Sequence, residues 1–216
     1  MSLLHTVTQG EHLSGIAAKY GFSNFLTVWD HPSNAELRKN RQNPNVLFPG
    51  DVVFIPTKES KEISGSTEKR HRFGLVRKKI TLRLLLEDTY HKPIANTKCE
   101  LAFDQMVHHL TTDAKGRIEL EIPPSVRNAE LSLRDATSPL NQKALKLRIG
   151  DLDPVDNKSG QVARLVNLGY YSGPFDPVDE RLFLIAVEEF QCEHKLPVDG
   201  KCGPVTQAKL KEVHGC

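Results

Sequence analysis

The 216-residue chain has no apolar run approaching the ~20 residues that a membrane-spanning helix needs, so no membrane is expected as a partner. Nor does it carry a surplus of one charge, since 29 Lys and Arg stand against 27 Asp and Glu. Aromatic residues make up only 6% and are not interleaved with basic ones. Both the electrostatic footprint and the stacking platform of a nucleic-acid binder are therefore missing. Cysteines occur only at 99, 192, 202 and 216, too few for a disulfide scaffold. The start, Met1-Ser-Leu-Leu-His-Thr-Val, has no basic residue before its short apolar run and does not read as a secretory leader. A length of 216 residues suits two or three small domains better than one core.

Motifs of catalysis are lacking too. The chain contains no His-Glu-x-x-His helix, no Gly-x-Ser-x-Gly elbow and no phosphate loop. His108 and His109 are adjacent on an expected strand, where neighbouring side chains point to opposite faces and cannot share a metal. Cys99 shares a strand face with Leu101 and Phe103, the pattern of a small core residue. Glu188 and Glu189 are neighbours on an expected helix and do not face one another. No acid, base and nucleophile converge, so no enzyme and no cofactor are expected.

What is present divides by hydrophobic period. Residues 1–56 read as strand, helix, helix, strand. Thr6-Val7 opens a strand and Gln9-Gly10-Glu11 makes a turn, after which Leu13, Ile16, Ala17 and Tyr20 mark one helix face and Gly21 ends it. A second helix is expected near Phe25 to Trp29, then a charged insertion from Asp30 to Gln42, and a closing strand Val52-Val-Phe-Ile55. Residues 57–78 have linker composition; the basic groups Lys69-Arg70-His71-Arg72 and Arg77-Lys78-Lys79 read as a solvated tether, with contact to an anionic polymer as the alternative. From 79 to 150 the period becomes two: Ile80, Leu82, Leu84 and Leu86; Ile118, Leu120 and Ile122; Leu145, Leu147 and Ile149. Five or six short strands with a turn at Asp113 to Gly116 predict a small antiparallel β-sandwich. Residues 151–216 return to helical spacing, with apolar faces Val162, Leu165, Val166, Leu168; Phe183, Ala186, Val187, Phe190; and Ala208, Leu210, Val213. The fold class expected is multidomain α+β.

The stretch from His5 to Gly21 and the closing Leu47-Phe-Pro-Gly-Asp-Val-Val-Phe-Ile-Pro56 together resemble a LysM repeat, with Glu11-His12 where that family usually has Asp-Thr. The stretches Arg164 to Tyr171, Ala186 to Gln191 and Leu196 to Thr206 resemble the three-helix peptidoglycan-binding domain. Its Asp-Gly-x-Phe-Gly-Pro-x-Thr turn is nearly intact at Asp199 to Thr206 and decayed at Asp176 to Arg181. The segments Leu86 to Ala95 and Thr111 to Gly116 are similar to transthyretin-like or carboxypeptidase-regulatory-like domains, whose usual role is spacing or docking.

These resemblances imply a cell-wall glycan, chiefly N-acetylglucosamine units of peptidoglycan, as partner. Carried over by position, the LysM contacts are Gly10, Glu11 and His12 in one loop and Asn45, Val46, Leu47 and Phe48 in the other. In the C-terminal domain they are Tyr170, Tyr171, Gln191 and Asp199. Cys192, Cys202 and Cys216 leave three readings open: a disulfide between two of them, free thiols, or a zinc site with His194 and His214. The expected function is a non-enzymatic wall-binding adaptor. Its alternatives are a component of a contractile injection machine, such as a type VI secretion spike or phage-like baseplate, or an accessory subunit of a wall hydrolase. The protein partner would accordingly be a spike, a toxin or a hydrolase. Wall binding without a leader implies either that a leader has been removed or that export is non-classical, through a contractile route, with the protein cytoplasmic until then and acting in the periplasm or at the wall.

Overall fold

The computed structural model describes residues 2–58, 62, 64–72, 79–88, 90–134 and 144–216. Met1, much of the expected linker, and Arg77 and Lys78 of its second basic group lie outside the described residues. The fold is mixed α+β, with small antiparallel sheets, C-terminal helices and three separate apolar clusters.

The first cluster is closed by strands β1 (Leu3–Thr6) and β2 (Val52–Ile55), which pair antiparallel from Leu3↔Ile55 to Thr6↔Val52. Between them run α1 (Leu13–Lys19), α2 (Leu26–Trp29), a 3₁₀ turn (Pro32–Asn34) and α3 (Ala35–Asn40). His12 caps α1 by accepting from the Gly15 amide through Nδ1 at 3.3 Å. Leu13, Ile16 and Ala17 then face Val28, Leu47, Val53 and Ile55, as the helical spacing predicts. The charged stretch 30–42, expected as an insertion, is folded into the unit. Leu37 enters the core while Glu36, Arg38 and Lys39 surround it, a pattern too short to reveal a face. Asn34 ties this stretch down: its amide donates to the carbonyls of Val28 (2.7 Å) and Phe54 (2.8 Å) and accepts from the Phe54 amide (2.8 Å).

Among the described residues, the middle segment forms six strands in two sheets. β3 (Ile80–Leu85) pairs with β6 (Arg117–Ile122), while β4 (Lys98–Phe103), β5 (Met106–Thr111), β7 (Asn128–Leu133) and β8 (Ala144–Arg148) form a second sheet in the order β5-β4-β7-β8. The alternation works as expected: Ile80, Leu82, Leu84, Ile118, Leu120 and Ile122 pack with Cys99, Leu101, Phe103, Ala129, Leu131 and Leu133 of the other sheet. His108 is half-buried and stacks on Phe103 at 4.6 Å, whereas His109 is exposed beside Glu100.

The C-terminal helices are α4 (Lys158–Asn167), α5 (Glu180–Glu193) and α6 (Pro204–His214). Their core holds Val162, Leu165, Tyr171, Ala186, Val187, Phe190 and Leu210. A fully buried arginine, Arg164, fastens the approach to α4 and the far end of α6. Its Nη1 donates to the carbonyls of Asp153 and Gly160 (both 2.8 Å), and its Nε donates to that of Cys216 (2.9 Å).

Candidate functional site

The two loops nominated in the N-terminal unit are adjacent. Leu13 donates its amide to the Pro44 carbonyl (3.0 Å), and Ser14 Oγ donates to Asn45 Oδ1 (2.9 Å). Their residues have different fates. Asn45 is exposed, Val46 and Phe48 are half-buried, and Gly10, Glu11, His12 and Leu47 are buried. Leu47 belongs to the core. Glu11 is a hub: His5 Nε2 donates to it at 2.7 Å, the Thr8 amide at 3.0 Å, and Lys19 Nζ lies at 3.4 Å. Burial pushes the Glu11 carboxyl up, but the Thr8 amide and the His5 ring outweigh it and hold its pKa at about 2. Burial pushes the His12 imidazole below its usual pKa; the hydrogen bond with Asn45 opposes this and the Arg127 charge adds to it. The accessible part of this face is therefore Asn45, Val46 and Phe48, the last with the Arg41 guanidinium over its ring at 5.7 Å.

In the C-terminal helices, Gln191 is 1% exposed and organises the intact turn. Its Nε2 donates to Asp199 Oδ1 (2.8 Å), the Lys201 carbonyl (3.0 Å) and Thr206 Oγ1 (3.0 Å), and its Oε1 accepts from the amides of Asp199 and Gly200 (both 3.0 Å). Asp199 is exposed at the lip of that turn, and the Lys201 amide and the Gln191 side chain lower its pKa. Tyr171, also buried, serves the decayed copy in the same way. Its hydroxyl donates to the Pro174 carbonyl (2.7 Å) and accepts from the Asp179 amide (3.1 Å), while Asp179 Oδ1 caps α5. Two loops of this unit are thus held by buried polar side chains.

Residues 162–210 match the family model described as "Putative peptidoglycan binding domain". Neither a curated protein nor a solved structure matches the chain. Around the matched residues, sequence reasoning passed over the exposed apolar side chains beside the loops. Leu182 (36% exposed) lies against the Gly173 loop, Leu184 (45%) against Gly200, and Phe175, Val198 and Val205 are also uncovered. Uncovered apolar side chains next to polar loop edges suit the faces and substituents of a sugar. The signal was available in α5 as Leu182, Leu184 and Ile185, three exposed apolar residues outside its buried stripe.

Tyr170 is half-buried, and its hydroxyl donates to Glu193 Oε2 at 2.8 Å. Burial and the Glu193 carboxylate push its phenol pKa up. Cys192, Cys202 and Cys216 are all free thiols in this structure. Cys192 is exposed on α5, Cys202 packs at the edge of the helical core, and the Cys216 thiol faces His214 Nδ1 at 3.2 Å. Burial raises the Cys202 pKa to about 11, which favours its neutral thiol over the thiolate. Among the described residues no group of three or more His, Cys, Asp or Glu could hold a metal ion.

Proposed function

We propose that the chain is a non-enzymatic adaptor that holds peptidoglycan through its C-terminal domain and carries a docked partner to the wall. The observation that bears this reading is the family match over residues 162–210, together with the intact Asp199 to Thr206 turn braced by Gln191. The N-terminal unit is read as a LysM module whose accessible edge, Asn45, Val46 and Phe48, contacts N-acetylglucosamine units. Its strand-helix-helix-strand order supports that reading, with α3 an addition between the second helix and the last strand. The middle sheets serve as the docking block between the two. The non-enzymatic reading is supported by the work that the buried polar residues already do. Glu11, Arg164 and Gln191 each satisfy backbone groups or internal partners.

Purified sacculi provide the test. The chain is incubated with them, sedimented at moderate salt, and the supernatant assayed for released fragments. Co-sedimentation without muropeptide release is expected. Failure to sediment refutes wall binding, and release of muropeptides refutes the adaptor reading.

A further inference from the structure

The loop that the LysM resemblance nominates is not open to solvent, and what covers it is the rest of the chain. Gln9 Nε2 donates to the Asp151 carbonyl (3.2 Å) and to Asp153 Oδ1 (3.3 Å). Arg127, at the start of β7, reaches Glu11 Oε1 at 3.7 Å, and Arg41 reaches Asp156 Oδ2 at 3.7 Å. The approach is close, and on the Gly150 side it is backbone that a side chain would meet. A Cβ on Gly10 would lie 2.5 Å from Asp151 Oδ1, and one on Gly150 would lie 2.9 Å from both the Gly10 carbonyl oxygen and His12 Cδ2. A Cβ on Gly15 would lie 3.1 Å from the Pro124 carbonyl oxygen. Residues 124–127 and 150–153 therefore lie over Gly10, Glu11 and His12.

One residue nominated in the C-terminal unit, Tyr170, is covered from the same block. Asp88 accepts the amides of Tyr90 (2.8 Å) and Lys92 (3.0 Å) through Oδ1, a turn that holds His91 at a positive φ of 56°. His91 stacks on the Tyr170 ring, with centroids 5.5 Å apart and planes at 26°, and its Nε2 lies 3.9 Å from Glu193 Oε2. The middle sheets thus touch both outer units at residues nominated for glycan contact.

We propose that the middle sheets are a latch that holds the chain closed over Gly10, Glu11 and His12, and that full wall engagement by the N-terminal unit, beyond the accessible edge of Asn45, Val46 and Phe48, requires this latch to open. The proposal rests on the wall-binding reading above. The side-chain contacts that hold it are polar and partly exposed at Arg127 and His91, which is the composition of an interface that opens and closes.

The test uses the full chain with Arg127→Glu and His91→Ala combined, and Arg127→Ala alone as a milder form. Hydrogen exchange at residues 10–13 reads opening, and sedimentation with sacculi reads binding. Faster exchange and roughly tenfold tighter retention by the double variant are expected if the open form rises from about a tenth of the molecules to nearly all. Circular dichroism confirms that both variants fold, and Arg127→Ala should lie between the wild type and the double variant. Faster exchange with unchanged retention overturns the latch and leaves wall binding standing. Unchanged exchange also overturns it, because these contacts then do not hold the loop. If no form of the chain sediments, the wall-binding reading falls and the latch with it.

Discussion

Replacing Gln191 by alanine removes one buried amide whose two N–H groups are shared among three acceptors and whose oxygen accepts two amides, and the different surroundings of these partners set the cost. The partners Asp199, Gly200 and Lys201 lie at the surface end of the turn, where water replaces much of what is lost. Thr206 is 5% exposed, and its Oγ1 does not regain a partner. With a net ~1 kcal/mol per hydrogen bond, discounted for the wet partners, and a cavity left in the core, the loss is about 3 kcal/mol. The isosteric Gln191→Glu is the sharper test. It removes the donors and sets a carboxylate where Gln191 Nε2 now lies 2.8 Å from Asp199 Oδ1. At pH 7 it should cost at least as much as alanine. Repulsion raises the pKa of the introduced carboxyl, so its penalty is relieved as pH falls through that raised value and returns above it. Guanidinium unfolding followed by circular dichroism reports the helices, while fluorescence of Trp29, the chain's single tryptophan, reports the N-terminal core. The helical transition should move and the Trp29 transition should stay. An alanine variant within ~0.5 kcal/mol of wild type, or a glutamate variant as stable as wild type at pH 7, would refute the assignment of Gln191 as the brace of this turn.

Glu11→Gln should flatten the acid limb of stability. The Glu11 pKa falls from 4.5 to about 2 on folding, so its contribution, on the order of 3 kcal/mol, is present above pH 4.5 and is lost as pH falls toward 2. An acid titration of Trp29 fluorescence that superimposes for variant and wild type would sink that reading. Arg164→Met removes the donors for the carbonyls of Asp153, Gly160 and Cys216 and should lower helical stability by about 3 kcal/mol, measured by thermal melting. A melting temperature within a degree or two of wild type would contradict the anchoring role.

The period of the apolar residues made the helices and strands legible, because burial on one face of a regular element leaves a mark at fixed spacing. Leu13, Ile16 and Ala17 in α1, and Ile118, Leu120 and Ile122 in β6, all point where that spacing says. Elements without such a mark were hidden. Helix α3 has the single core residue Leu37, and the β4–β5 hairpin turns on Asp104 and Gln105, both at positive φ (47° and 63°) without the glycine that usually announces such a turn. The candidate contacts were legible only as positions in loops. Whether a loop residue faces solvent depends on packing from distant sequence. Gly10 and Asp151, 141 positions apart and in contact, leave no local trace. Gln191 and Tyr171 were found for the same reason that they are buried: bracing a turn requires a particular polar side chain as strictly as touching a ligand does.

The pairing of β1 with β2 also bears on how the chain emerges during synthesis. Leu3 meets Ile55, so the N-terminal core is closed by its first and last strands across a span of roughly 50 residues, at a loop-closure cost of about 3–4 kcal/mol. Helix α1 has only seven residues and is too short to persist alone in water. Until the ribosome releases residue 55, Leu13, Ile16 and Ala17 have no sheet to cover them. Each new copy of the chain therefore passes through a stage of translation in which this apolar surface is bare, and it ends in one step when the second strand arrives.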